Sequence, residues 1–396
     1  MKILYLRFFF FGFHCLVSFK VISQAFIPGK TYIDPTGYVE YRAGNLPIII
    51  SAPHGGNLEP NAIPDRNCTG CITERDAWTK AIAEGMYNSF IKKTGCFPHV
   101  IINLLDRSKF DANRDLKEAA NGNATVEKAW YEYHKFIDSA KSQVIKNYSK
   151  GLFLDLHGHG HTIQKIELGY LLSGSQLRLS DSVLNGVTYI KESSIRTLAE
   201  NNAQNISHAK LLRGQNSFGT LMSNKGFPAV PSFSDPFPQV NQPYFDGGYN
   251  TQRHGSRDKG AKIDAIQIEL NNVIRNVAAT RERLIDSLTN SSIQYIQFHY
   301  NKNFLNNFCN RILSNKESDN QMINFNIYPN PAENYIRIDS QEEGLHIEIY
   351  NYFGQKLHSE MWIEEKMNIG FLPNGLYIIK LAKDHRILGS KIFIKY

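Results

Sequence analysis

The stretch LFLDLHGHGH (Leu152–His161) joins a short apolar run to three histidines at every second position. A run of this length beside glycines reads as a strand buried on both faces. Similar runs recur between Gly44 and Asn276: LPIIISAP (Leu46–Pro53), HVIINLLD (His99–Asp106) and AIQIEL (Ala265–Leu270). Asp76–Lys92 and Asp115–Asn147 lie between them with apolar residues at three- and four-residue spacing, so they read as helices, and Asn276–Asn301 reads as a closing helix. The alternation predicts an α/β domain, a mixed sheet flanked by helices. Gly158 and Gly160 have little strand propensity, so the chain is read as leaving the sheet after His157.

The polar residues in these runs fall at the carboxyl ends of the strands, where such sheets gather ligands. One strand ends in Pro53 and His54, with Gly55 and Gly56 letting the backbone turn tightly. Glu74 and Asp76 open a helix, His157 ends a second strand, and Glu269 ends a third. Two imidazoles and a carboxylate from separate elements form the ligand set of a catalytic zinc site with one position left for water. A further carboxylate is then needed to take a proton from that water, and Glu269, in an apolar strand, is the natural candidate. In DRSKFDANRD (Asp106–Asp115), Asn113 and Arg114 form a donor fork suited to a substrate carboxylate, and Arg107 could polarise a carbonyl.

With 396 residues, the chain is long enough for two folded units. Charged residues make up 20% and hydrophobic residues 42%, an ordinary globular balance. Lys and Arg outnumber Asp and Glu by 44 to 37, yet no dense basic run with interleaved aromatics occurs, so no nucleic-acid partner is expected. Residues 1–23 read as a signal peptide, with Lys2 and Arg7 ahead of the apolar Phe8–Phe19 stretch and small residues near a cleavage point. Its removal leaves Cys68, Cys71, Cys96 and Cys309 in an oxidising compartment. CTGC has no second pair to complete a zinc site, so a short loop disulfide or two free thiols are expected there.

Around NRILSNKESDNQ (Asn310–Gln321) periodicity vanishes, giving a first domain over 24–313, a linker over 314–322 and a small all-β sandwich over 323–396. NIYPNPAENYIRI (Asn326–Ile338), IEIYNYFGQKL (Ile347–Leu357), LPNGLYIIKL (Leu372–Leu381) and the ending KIFIKY resemble the C-terminal sorting domain of the type IX secretion system of Bacteroidetes. The resemblance implies engagement of that machinery and delivery to the outer-membrane surface or the medium.

In the first domain, SAPHGG (Ser51–Gly56), IPDR (Ile63–Arg66), DAWTKAIA (Asp76–Ala83), DRSKFDANRD, DLHGH (Asp155–His159) and QIEL (Gln267–Leu270) stand in an order that resembles the N-formylglutamate amidohydrolase family. That family belongs with the zinc carboxypeptidase-like hydrolases. The resemblance implies one Zn2+ on His54, His157 and a carboxylate from Glu74 or Asp76. Thr79, Ile82 and Ala83 follow Asp76 at the family's spacing, so Asp76 is favoured. It further implies Glu269 as general base, Arg107 at the oxyanion, Asn113 and Arg114 on the substrate carboxylate, and GGYNTQRHG (Gly247–Gly255) as a substrate loop carrying Tyr249 and His254. His159 is expected to touch substrate, and His161 to be a plain loop residue. The substrate expected is a small molecule or peptide in which an amide lies next to a free carboxylate. A metallocarboxypeptidase, or a surface binding protein that has lost turnover, are the alternatives.

Overall fold

The computed structural model describes residues 26–300, 325–340, 344–351, 355–362, 366–383 and 386–396. The predicted signal peptide and the 314–322 linker lie outside the described residues. The chain divides into two compact units, residues 1–302 and 303–396.

The first unit is built on an eight-stranded mixed sheet. In chain order its strands are β1 (Thr31–Ile33), β2 (Val39–Arg42), β3 (Ile48–Ala52), β4 (His99–Asn103), β5 (Gly151–His159), β6 (Ile166–Gly169), β7 (Ala229–Val230) and β8 (Ile263–Asn271). They are arranged in the order β1-β2-β4-β3-β5-β8-β6-β7. The four apolar runs form β4, β3, β5 and β8, which are mutually parallel and lie side by side. After β3 the chain crosses to one neighbour, β4, and then back to the other, β5. The crevice at such a reversal is where open α/β sheets accommodate ligands.

Helices cover both faces, which is why these strands are apolar throughout. Helix α1 (Thr79–Thr94) packs on the sheet and against the helix Ala278–His299. Against the opposite face lies helix α3 (Ala124–Tyr148), whose Ala129, Tyr133, Ile137 and Ala140 meet Ile49, Ile101, Phe153 and Ala265. The predicted helix Asp115–Asn147 is two elements, α2 (Leu116–Ala120) and α3. Asn121 ends the first in a left-handed conformation at φ 48°, and the Asn123 side chain caps the second by accepting from the amides of Thr125 and Val126.

β5 runs on to His159, pairing Gly158 with Leu270 and His159 with Asn271 of β8, so the chain does not leave the sheet after His157. Sheet pairing overrides the weak strand propensity of glycine. A Cβ at Gly158 would lie 2.3 Å from the guanidinium carbon of Arg275, which donates to the carbonyls of Leu270 and Ala77, so the glycine makes room for a side chain that clamps the strand ends.

Among its described residues, the second unit is all β. A three-stranded antiparallel sheet and a four-stranded antiparallel sheet enclose Ile336, Ile347, Ile349, Ile379, Leu381 and Phe393. The alternation of buried and outward residues in Tyr335–Asp339 and His346–Asn351 is that of a sandwich. Among the described residues, no helix is long and apolar enough to cross a membrane.

Gly55 and Gly56 thread the chain from β3 between α1 and the end of β4. A Cβ at Gly56 would stand 2.3 Å from the carbonyl carbon of Leu104, which is backbone and cannot yield. Gly56→Ala is expected to cost about 1–3 kcal/mol, measured as a lower denaturation midpoint of the first unit. An unchanged midpoint would show that this approach is not a constraint.

Candidate metal centre

The site grows out of the period of the strand. Ile49, Phe153 and Ala265 face α3; two residues on, the same face presents Ser51, Asp155 and Gln267, which are in register with one another across three strands. The next step along that face brings His157 beside Glu269, and β6 sets Glu167 against Glu269 from the other side. The core thus gives way to titratable groups at the carboxyl ends, with no change in strand geometry. His54 follows β3 directly and enters the same cluster.

Three atoms converge. His54 Nδ1 and His157 Nδ1 are 3.1 Å apart, and Asp76 Oδ2 lies 3.2 Å from the first and 3.3 Å from the second. All three residues are buried. A tetrahedral cation with ligands at about 2.0–2.1 Å holds those ligands about 3.3 Å from one another, so the triangle has the dimensions of three corners of such a shell. The other nitrogen of each ring is engaged by a buried carboxylate: His54 Nε2 lies 2.6 Å from Asp111 Oδ1, and His157 Nε2 lies 2.8 Å from Asp155 Oδ2. A carboxylate there accepts a hydrogen bond from Nε2–H and so fixes the proton on Nε2, which leaves the Nδ1 lone pair turned toward the cluster. The donor set therefore fits a metal ion.

Charge leads to the same reading. Asp76, Asp111, Asp155, Glu167 and Glu269 are all buried around the two imidazoles. Burial alone would raise Asp76, yet the two histidines pull it well below the usual carboxylate range. Burial works against the charged form of His157 as well, but Asp155 and Asp76 hold its pKa well above the imidazole range. Protons retained in this way occupy the electrostatic place of a cation. Burial pushes Glu269 up to about 8, against the opposing effect of His157. Its Oε1 accepts from Gln267 Nε2 at 3.0 Å.

Asp76 reaches the cluster from the loop before α1. It does not cap that helix, whose N-cap is Trp78 without a side-chain hydrogen bond. Instead its Oδ2 accepts from the Gly158 amide at 3.0 Å, tying the loop to β5. Glu74 is exposed and stays out of the cluster; only its backbone carbonyl takes part, accepting from Arg107 at 3.4 Å. Arg107 also donates to Asp111 at 3.0 Å and pairs with Asp76 Oδ1 at 3.5 Å.

These groups border a cavity of about 500 Å³, whose wall also includes Asn113, Arg114 and His159. Asn113 Oδ1 accepts from the Asn250 amide, while Arg114 is partly exposed and pairs with Glu118 at 2.8 Å. His159 is buried, with Nε2 on the Lys165 carbonyl at 2.8 Å. His161 is more than a loop residue: it pairs with Glu167 at 2.7 Å, stacks on Phe245 at 4.7 Å between ring centroids, and borders the cavity. His159, His161 and Glu167 form a second group of metal-capable side chains, with His159 Nδ1 3.9 Å from Glu167 Oε1.

The loop Gly247–Gly255 contributes differently from the reading of its sequence. Gly247 and Gly248 reach the cavity wall, and Asn250 Nδ2 donates to Asp155 at 3.4 Å. Tyr249 instead packs on the α3 core, and His254 is buried against His134 at 2.9 Å. Contacts with Trp130 and His134 of α3 hold both away from the cavity. Asp111 and Glu167 went unassigned in the sequence. The available signal was a carboxylate inside the otherwise apolar Phe110–Ala112 and Ile166–Leu168 triplets. Cys68 and Cys71 are joined by a disulfide.

Residues 326–395 match the family of the secretion system C-terminal sorting domain. The chain is routed by that domain through type IX secretion to the cell surface or the extracellular space. No curated protein matches the chain. Among solved structures, N-formylglutamate amidohydrolase from Ralstonia eutropha JMP134 is similar at 12% identity over 66% of this chain and 97% of that one, with a TM-score of 0.39. Succinylglutamate desuccinylase from Chromobacterium violaceum is similar at 9% identity over 69% and 70%, with a TM-score of 0.29. PorZ, a surface component of the type IX system of Porphyromonas gingivalis, is similar at 16% identity over 18% of this chain and 11% of its own, with a TM-score of 0.16. At these scores the structural likenesses carry no weight for the chemistry, which rests on the atoms of the cluster.

Replacing Asp155 by Ala leaves all three inward-facing atoms in place but removes the acceptor of the His157 Nε2–H hydrogen bond. Zinc affinity, measured by competition with a chromophoric chelator, is expected to fall about 10- to 100-fold. An affinity within two-fold of the parent would show that Asp155 does not orient the ring.

Proposed function

We propose that this exported protein is a zinc-dependent amidohydrolase that cleaves an amide adjacent to a free carboxylate. The observation that carries the reading is the triangle of His54 Nδ1, His157 Nδ1 and Asp76 Oδ2, with edges of 3.1–3.3 Å, set beside Glu269. His54, Asp76 and His157 would hold the ion. When bound, zinc supplies Lewis acidity, lowering the pKa of a water and polarising a carbonyl oxygen.

The chain's own groups account for the remaining needs of the reaction. Glu269 is fixed by Gln267 and stands in register with His157, so it is placed to take a proton from water and return it to the leaving nitrogen. Its elevated proton affinity suits the second of these tasks, and a nearby positive charge favours the carboxylate needed for the first. Arg107, held by Asp111 against the cavity, supplies positive charge for a developing oxyanion. Arg114 borders the same cavity and offers a planar fork to a substrate carboxylate, with Asn113 beside it. The fold similarity to N-formylglutamate amidohydrolase supports no choice of substrate. Acylated amino acids, short peptides and glutamyl-linked or cell-wall fragments all contain the required amide and carboxylate.

Two outcomes test this reading. Purified full-length protein, dialysed after incubation with zinc, is expected to retain about one zinc per chain; no retained zinc would refute it. Glu269→Gln is expected to keep that zinc and lower kcat by about 10²- to 10⁴-fold on whichever N-acyl substrate the parent cleaves. Wild-type turnover in the variant would place the base elsewhere.

A further inference from the structure

Trp78 is an aromatic residue in an expensive conformation. Its φ of 72° lies in the left-handed region, which bulky side chains rarely adopt. The residue is nevertheless 47% exposed, so burial in the core does not offset the strain. One face is covered by Arg281, whose guanidinium carbon lies 4.0 Å from the ring centroid and whose Nη1 donates to the Arg275 carbonyl at 2.6 Å. The indole is therefore held flat from beneath, and it lines a groove.

That groove, of about 330 Å³, is bordered by Asn57, Arg75, Trp78, Lys80 and Glu84. It shares Arg75 and Ala77 with the wall of the metal-centre cavity, so the two spaces adjoin through the residues flanking Asp76. Glu84 is already paired with Arg42 at 3.0 Å, which leaves the cations of Arg75 and Lys80 to set the charge of the groove. A cationic occupant is disfavoured. An aromatic face bordered by polar donors suits a ring that is apolar on its C–H face and rich in oxygen at its edge.

We infer that the Trp78 groove is a saccharide subsite, binding a neutral or acidic sugar ring that extends from the acyl side of the scissile amide. The inference rests on the hydrolase reading for the position of that amide. The substrate class it names is a glycan-linked amide, in which Arg114 takes the carboxylate end and Trp78 stacks on the sugar. Trp78 is then a specificity-determining residue, not a catalytic one.

The test is calorimetric, on full-length zinc-loaded protein carrying Glu269→Gln so that ligands are not consumed. Two probes are compared: an N-acetylmuramoyl dipeptide, and the same dipeptide bearing only an N-acetyl group. The muramoyl probe is expected to bind about ten-fold more tightly. Trp78→Ala is expected to abolish that difference, and Trp78→Phe to retain most of it. Equal affinity for the two probes in the parent would overturn the inference, as would a loss in Trp78→Ala that falls on both probes alike. Stronger binding of an N-phenylacetyl dipeptide than of the muramoyl one would also overturn it, in favour of an aromatic occupant. Zinc-loaded parent protein that turns over neither probe nor any N-acyl amino acid, while still preferring the sugar, would count against the hydrolase reading and leave the subsite standing.

Discussion

Two imidazole nitrogens 3.1 Å apart, with a carboxylate oxygen completing the triangle, cannot be left as three facing lone pairs in a buried site. Something positive must stand among them. In a metal-free cluster it is a proton, which is why His157 is held so far above the ordinary imidazole range and Asp76 so far below that of a carboxylate. Each histidine has its other nitrogen committed to an aspartate, so neither ring can turn away. A metal ion satisfies the same demand with three bonds, and it would displace the trapped protons as it binds.

The rest of the first unit follows from the need to bring these groups together. Parallel strands point their carboxyl ends in one direction, and the reversal of order around β3 puts His54 next to His157. The outer groups then lock the cluster. Ser51 and Asn250 donate to Asp155, Arg107 and Arg66 pair with Asp111, and Gly158 admits Arg275 and offers its amide to Asp76. Buried charge of this kind is costly unless every member is paired. The pairing explains why so many polar residues are tolerated at the edge of an apolar sheet.

Much of this was legible in the sequence because it obeys short-range rules. The four apolar runs became the four central strands, and His54, Asp76, His157 and Glu269 meet as their positions at strand ends and in the following loop suggested. Other features depended on tertiary partners and were not legible. β5 continues through Gly158 because it pairs with Leu270 of β8, and the residue there is glycine because Arg275, 117 residues later, occupies the space of a Cβ. Tyr249 and His254 share a loop with cavity residues but turn into the α3 core, where Trp130, Tyr133 and His134 receive them. Asp111 gave only the faint signal of an acid between Phe110 and Ala112, and its role depends on His54, 57 positions away. The sorting domain was readable throughout because its strands alternate with period two and its turns are local.

The central claim is that one ion sits on His54, Asp76 and His157 through the two Nδ1 atoms. Anomalous scattering at the zinc edge, from crystals of the full-length protein grown with zinc, tests it directly. The account predicts a peak about 2.0–2.2 Å from His54 Nδ1, His157 Nδ1 and a carboxylate oxygen of Asp76. A peak among His159, His161 and Glu167 with none at this triangle, or ligation through the Nε2 atoms, would contradict it.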